Sequence, residues 1–109
     1  MKALAQYYIK ALELAAETAG ARVGAFSRLP DINTPHGYLM RSRIAARPNG
    51  GLWFTWHCSR EDQSFAGMGG IHAPDLATLL TRVSDIFNRQ HKGGTSRRSL
   101  ELLKKRIRG

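Results

Sequence analysis

Cysteine is almost absent from this sequence, which has only Cys58 among its 109 residues. A lone cysteine excludes an internal disulfide and a structural zinc site of several thiolates, and it is typical of proteins in a reducing compartment. Long apolar runs are also missing, since no stretch approaches the roughly 18 residues that a membrane span needs. The N-terminal segment MKALAQYYIKALELAAE has charged residues within its apolar stripe, unlike a secretory signal. We therefore expect a cytoplasmic protein with no membrane partner.

Acidic residues are scarce as well, with 8 Asp and Glu against 17 Lys and Arg and a net charge of +9. Residues 91–109 hold seven of the basic residues and one Glu, so this segment carries +6 and residues 1–90 only +3. A strongly basic chain attracts polyanions. Apolar residues make up 42% of the chain, which is enough for a packed interior. We predict one domain over residues 1–92 and a basic helical tail over 93–109.

Apolar spacing predicts a helix near each end of the domain. Residues 2–19 are rich in alanine and leucine, and Gly20 is a natural residue just past the end of a helix. Pro74 is a good first residue for the second helix. Its apolar positions recur at helical spacing: Leu76, Leu79, Leu80, Val83, Ile86 and Phe87.

The segment 21–37 contains two prolines and two glycines and has no apolar period. It predicts a loop, with or without a short strand at its start, that Phe26, Leu29 and Ile32 attach to the domain.

Residues 38–47 and 52–58 alternate with period two, and the even positions are the apolar ones in both segments. A two-residue Asn49-Gly50 turn would place Arg47 opposite Leu52 and mix the two faces. A three-residue turn over 48–50 pairs even with even positions, with Pro48 in a type I turn and Gly50 in the left-handed conformation. The predicted pairs are Ile44 with Phe54 inside, and Ala45 with Trp53, Arg43 with Thr55 and Arg41 with His57 outside.

A third strand is predicted over residues 64–71, where three glycines indicate a bulge or a close approach of the backbone. The GMGG sequence at 67–70 precedes a helix, but it lacks the Lys-Ser/Thr of a phosphate-binding loop. The expected fold is a two-layer α+β sandwich of order α-β-β-β-α, with both helices on one face of a three-stranded antiparallel sheet. A helix on the other face would bury arginines without partners, which costs several kcal/mol per charge.

The order helix, three strands, helix resembles that of double-stranded RNA-binding domains. The resemblance is topological and covers the predicted domain. That family carries a lysine cluster at the entry of its second helix, whereas this chain has HAPDL there. No residue of the family's binding surface is carried over to this sequence.

The outer face of the hairpin is the first candidate site, because it combines arginines with aromatic rings. Positive grooves with aromatic platforms bind single-stranded nucleic acids. In this interpretation the arginines contact phosphates and the rings stack on bases or sugars. The alternative is a solvated arginine face with Trp53 covered by the 21–37 loop. The candidate residues are Arg41, Arg43, Arg47, Trp53 and His57.

The basic tail is the second candidate site. Leu100, Leu103 and Ile107 form a thin apolar stripe, which favours docking on the domain over anchoring in a membrane. The alternative is a frayed, solubilising terminus. The cations expected to contact the phosphate backbone are Arg97, Arg98, Lys104, Lys105, Arg106 and Arg108.

No catalytic constellation is found in the sequence. His57 and Cys58 are neighbours on a strand and point to opposite faces, and the four histidines lack metal-ligand spacing. We predict no enzymatic activity and no cofactor.

The favoured function is a small accessory or regulatory nucleic-acid-binding protein with weak sequence preference. Single-stranded or structured RNA is favoured over duplex DNA. The alternative is a protein-binding adaptor or inhibitor of phage or plasmid origin that covers a surface on a host complex, with Trp53 as its anchor. A homodimer joined through its open sheet faces is disfavoured by arginine repulsion.

Overall fold

The computed structural model of the protein describes residues 3–89. Within this range the element order is α-β-β-β-β-β-α, and all the strand pairs are antiparallel. The predicted α+β class is confirmed. The elements are α1 (Gln6–Ala21), β1 (Ser27–Arg28), β2 (Ile32–Asn33), β3 (Leu39–Ala46), β4 (Leu52–Ser59), β5 (Phe65–Ala73) and α2 (Leu76–Arg89).

The described sheet has five strands rather than the three predicted. The two additional strands, β1 and β2, are two residues long each and pair only with β3. Strands this short have no alternation that a sequence pattern can reveal, and Pro30 separates them. Leu29 and Ile32 are buried as expected, whereas Phe26 is exposed and does not attach the loop to the core.

The β3–β4 hairpin has the predicted register, with Ile44 opposite Phe54 and Arg43 opposite Thr55. Its turn occupies residues 48–50, as expected. The N–H of Gly50 donates to the carbonyl of Arg47 at 3.0 Å, and Gly50 has a φ of +88°. The turn therefore pairs even with even positions and keeps the two faces of the hairpin distinct.

The strand β5 contains both features that its glycines predicted, a bulge and a close approach of the backbone. A β-bulge shifts the register so that Cys58 pairs with Gly67 and Ser59 with Phe65. Farther along, a Cβ at Gly69 would lie 2.9 Å from the ring of Trp56, which shows a close approach. Residues 67–70 are thus part of a strand and not a phosphate-binding loop before a helix.

The helix boundaries differ from the prediction by a few residues. The helix α1 extends to Ala21 and includes Gly20 in its last turn, and the left-handed residue that follows is Gly24. The helix α2 begins at Leu76, after Pro74. Its N-cap is Asp75, whose carboxylate accepts the N–H of Thr78 at 2.8 Å. This hydrogen bond lowers the pKa of Asp75.

Both helices pack on the even-numbered side of β3 and β4. Their buried side chains, such as Tyr8, Leu12 and Val83, form a single cluster with Ile44 and Phe54. The odd-numbered side chains Arg41, Arg43, Trp53 and His57 are exposed. Within residues 3–89 the sheet therefore has one face covered by helices and one face without them.

Candidate nucleic-acid interface

The uncovered side of the sheet, called the open face below, brings five predicted site residues together. Arg41, Arg43 and Arg47 come from β3 and its turn, and Trp53 and His57 come from β4. Arg41 is directly opposite His57 in the register. Arg43 and Trp53 are diagonal neighbours across the same strand pair, a relation that spans about 7–8 Å. The cations and the rings therefore share one surface.

A hydrogen bond in the core fixes β3 to the helix layer. The hydroxyl groups of Tyr8 and Ser42 are bonded to each other, and both side chains are buried. Burial raises the pKa of Tyr8, which keeps the phenol neutral. Ser42 lies between Arg41 and Arg43, so inward anchoring of Ser42 directs both arginines outward.

The arginines of β3 are joined by Arg28, which is opposite Arg43 in the β1–β3 register. Asp31 is the acidic partner in this cluster, 3.8 Å from Arg28 and 3.5 Å from Arg41. Arg41 is thus an ion-paired cation. Arg43 has no ion pair or side-chain hydrogen bond with another described residue. Three guanidinium groups against one carboxylate leave the cluster positive.

Trp53 is 39% exposed and lies at the end of the open face that is next to the β3–β4 turn. The ring of Phe26 meets it edge-on with centroids 5.1 Å apart, and the ring of His72 is stacked with it at 5.6 Å. A Cβ at Gly70 would lie 3.2 Å from the indole nitrogen. The 21–37 segment thus contacts Trp53 through Phe26 but leaves a large part of the indole accessible.

A second aromatic pair lies at the other end of the face. The rings of His57 and Phe65 are 5.5 Å apart, and Phe65 is 42% exposed. The bulge in β5 explains this position, since without it Phe65 would share the parity of Gly67 and point to the core. Arg60 fixes the turn before β5 by donating to the carbonyl of Phe65 at 2.6 Å. Met68, opposite His57, adds a side chain that is 63% exposed.

Sequence patterns missed five residues of this surface: Arg28, Phe26, Phe65, Met68 and His72. The first two belong to a segment without periodicity, and Phe65 is placed by the bulge. Met68 and His72 alternate with small residues, so their face was not evident from composition. The period-two spacing of residues 68, 70 and 72, which places them on one face of a strand, is the signal that could have found them.

The tail residues Arg97, Arg98, Lys104, Lys105, Arg106 and Arg108 lie outside the described residues.

No group of three or more His, Cys, Asp and Glu side chains among residues 3–89 is placed to hold a metal ion. Cys58 is buried, and burial raises the pKa of its thiol to about 11, which disfavours the nucleophilic thiolate. Neither helix in this range is long and apolar enough to cross a membrane.

The chain matches no protein-family model, no curated protein and no solved structure. The resemblance to double-stranded RNA-binding domains is one of predicted element order only, and the described order differs from theirs by the two short strands β1 and β2.

Proposed function

We propose that the protein binds nucleic acid through the open face and acts as an accessory or regulatory factor without enzymatic activity. The observation that carries this proposal is the position of Trp53, a partly exposed indole on the same sheet face as Arg41, Arg43 and Arg47. Guanidinium groups bind phosphate through forked hydrogen bonds, and an indole offers a stacking surface to any base.

Each residue of the face has a distinct role in this proposal. Arg43 and Arg47 contact phosphates, and Arg41 joins them when a phosphate displaces Asp31. Trp53 stacks on a base, and the His57–Phe65 pair provides a second ring surface about half the length of β4 away. The basic tail adds contacts to the phosphate backbone. Because stacking and phosphate contacts do not read base edges, sequence preference is expected to be weak.

The shape of the face favours single-stranded or structured RNA over duplex DNA. Base edges in a duplex are read by a helix or ribbon that enters the major groove. Both described helices lie on the opposite layer, behind the core. A sheet face with exposed rings instead suits bases that are already unstacked.

The direct test is fluorescence anisotropy with labelled single-stranded and duplex RNA and DNA oligonucleotides. Trp53→Ala is expected to weaken single-strand binding about 5- to 150-fold, because stacking contributes about 1–3 kcal/mol per base. The matched control is Tyr7→Ala, which removes an exposed ring from α1 in the helix layer. Wild-type protein that binds no oligonucleotide at low salt would refute the proposal.

A chain ending at Gly94 measures the contribution of the tail with the same probes. Loss of binding in this truncation, with full binding in Trp53→Ala, would move the site from the sheet to the tail.

The second candidate function is a protein-binding adaptor or inhibitor, and the exposed apolar side chains of the open face favour it. Phe26, Phe65 and Met68 flank Trp53 and His57, and aromatic and methionine side chains rimmed by arginine are typical of protein interfaces. This function predicts a wild-type protein that binds no oligonucleotide, while binding of one purified host complex is lost in Trp53→Ala.

A further inference from the structure

A cavity of about 310 Å³ opens where the β3–β4 turn, the end of β5 and the start of α2 meet. The close approach of two backbones forms this corner. A Cβ at Gly51 would lie 3.1 Å from the carbonyl oxygen of Ala73, so a larger residue would require the turn or the end of β5 to shift by a few tenths of an ångström. The approach brings Arg47 to the side of His72.

Cationic and polar side chains from three elements line the cavity. Arg47 comes from the turn and His72 from β5, and the Nη1 atom of Arg47 lies 3.1 Å from Nδ1 of His72. Arg82 comes from α2 and donates from its Nη1 atom to the carbonyl oxygen of His72. Two guanidinium groups are therefore hydrogen-bonded to one histidine, Arg47 to its ring and Arg82 to its backbone.

Arg47 and Arg82 retain hydrogen-bond donors that their contacts with His72 do not use. A guanidinium can only donate, so Nδ1 of His72 is the acceptor of the Arg47 bond and the ring proton is on Nε2. Each arginine has five N–H groups, and the contacts with His72 use one from each. The remaining donors suit an acceptor with several oxygens.

The charge of the cavity favours an anion. Its lining contains two arginines and no carboxylate. The nearby carboxylate of Asp75 accepts the N–H of Thr78 at 2.8 Å at the start of α2. It also interacts electrostatically with Arg82 and offsets part of that charge, so the two arginines leave the cavity with a net positive charge. Arginine forks bind the paired oxygens of a phosphate or a carboxylate, which a halide ion lacks, and a phosphate has enough oxygens to accept from both arginines at once.

We propose that Arg47, His72 and Arg82 form a binding site for a phosphate group. The proposed function supplies one source, since His72 is stacked with Trp53 and a phosphate in the cavity would belong to a nucleotide whose base lies at that indole. A free phosphate has the same chemistry and is the other source. The assignment of the phosphate to a nucleotide rests on the proposed function, whereas the phosphate site itself does not.

The first experiment titrates inorganic phosphate into the ¹⁵N-labelled full chain and follows the side-chain resonances of Arg47, His72 and Arg82. Saturable shifts are expected, and sodium chloride at matched ionic strength should not produce them. Arg82→Gln should weaken phosphate binding about tenfold or more, because it removes charge-assisted donors. The matched control is Arg89→Gln, which removes the same charge from the last turn of α2 and should bind like the wild type.

Two outcomes would overturn the site. One is the absence of saturable shifts in the wild type, and the other is equal weakening in Arg82→Gln and Arg89→Gln, which would indicate attraction by net charge alone. The dispersion of the amide spectrum shows whether each variant is folded. Arg47→Gln removes the guanidinium that is bonded to the ring of His72, and it should weaken phosphate binding as Arg82→Gln does.

The second experiment uses one oligonucleotide to identify the source of the phosphate. If Arg82→Gln weakens both phosphate and oligonucleotide binding, the site holds a backbone or terminal phosphate. If it weakens phosphate binding alone, the site holds a free phosphate. Wild-type protein that binds phosphate but no oligonucleotide would refute the proposed function and leave the phosphate site standing.

Discussion

Gly69 lies against the indole of Trp56 so closely that a Cβ at this position would come within 2.9 Å of Cζ2. Trp56 is on the core side of β4 and is largely buried, directly opposite Gly69 in the register. The missing side chain of one strand thus provides the space for the largest side chain of the next.

Gly69→Ala is therefore expected to destabilise the protein by about 1–3 kcal/mol, since the added methyl group must displace a packed ring. The measurement is chemical denaturation followed by tryptophan fluorescence. The control is Gly20→Ala in the last turn of α1, where a Cβ would meet nothing within 4 Å. That change should stabilise the protein by about 0.4–1 kcal/mol. Equal stability of the two variants would contradict the packing described for Trp56.

The buried hydrogen bond between Tyr8 and Ser42 can be tested with a double-mutant cycle. Tyr8→Phe leaves the hydroxyl of Ser42 buried without its partner, and a loss of about 1–3 kcal/mol in the free energy of unfolding is expected. Ser42→Ala in the same background should restore part of this loss, because both polar groups are then gone. If the two single losses simply add, the hydroxyl groups do not interact.

The thiol of Cys58 is expected to resist modification in the folded protein. Its side chain is buried and its pKa is raised to about 11, so at pH 8 it is neither accessible nor ionised. An aromatic disulfide reagent should therefore react slowly with native protein and at the rate of a free thiol in denaturant. Because the folded state holds this proton more tightly than the unfolded state, the contribution of Cys58 to stability should be lost as the pH rises from about 9 towards 11. A reaction at the free-thiol rate without denaturant would contradict the burial of Cys58.

The salt dependence of oligonucleotide binding tests the role of Arg43. Removing one phosphate contact lowers the magnitude of the slope of log affinity against log salt concentration by about 0.7 on single strands. Arg43→Gln should show this decrease. Lys10→Gln removes an equal charge from the exposed side of α1 and should leave the slope unchanged. The same decrease in both variants would indicate that the open face has no special role.

The hairpin is the part of the structure that the sequence predicts best. Alternation in β3 and β4 and the turn at 48–50 fix which residues face the helices, because a shift by one residue would bury the arginines. The apolar stripe of α2 likewise identifies its core positions, including Leu79 and Val83. These predictions succeed because they depend on patterns repeated over several residues.

The rest of the open face depends on single events that have no periodic signature. Phe26, just before β1, reaches Trp53 because β1 pairs with the edge of β3 that does not pair with β4. A strand of two residues leaves no periodic pattern in the sequence. Phe65 faces outward because one extra residue enters β5. Arg82 reaches His72 across the edge of the sheet, a contact between elements that no local rule anticipates.

Asp31 gives the open face a tethered competitor for any ligand. Its carboxylate is held near Arg28 and Arg41 by the chain itself, so its effective concentration there is set by the fold and not by the solution. A small monovalent anion that meets only Arg41 must compete with this resident group and gains little by replacing it. Under the proposed function, a polymer that reaches Arg43 and Trp53 at the same time gains further contacts, so competition from Asp31 favours extended ligands over simple salts.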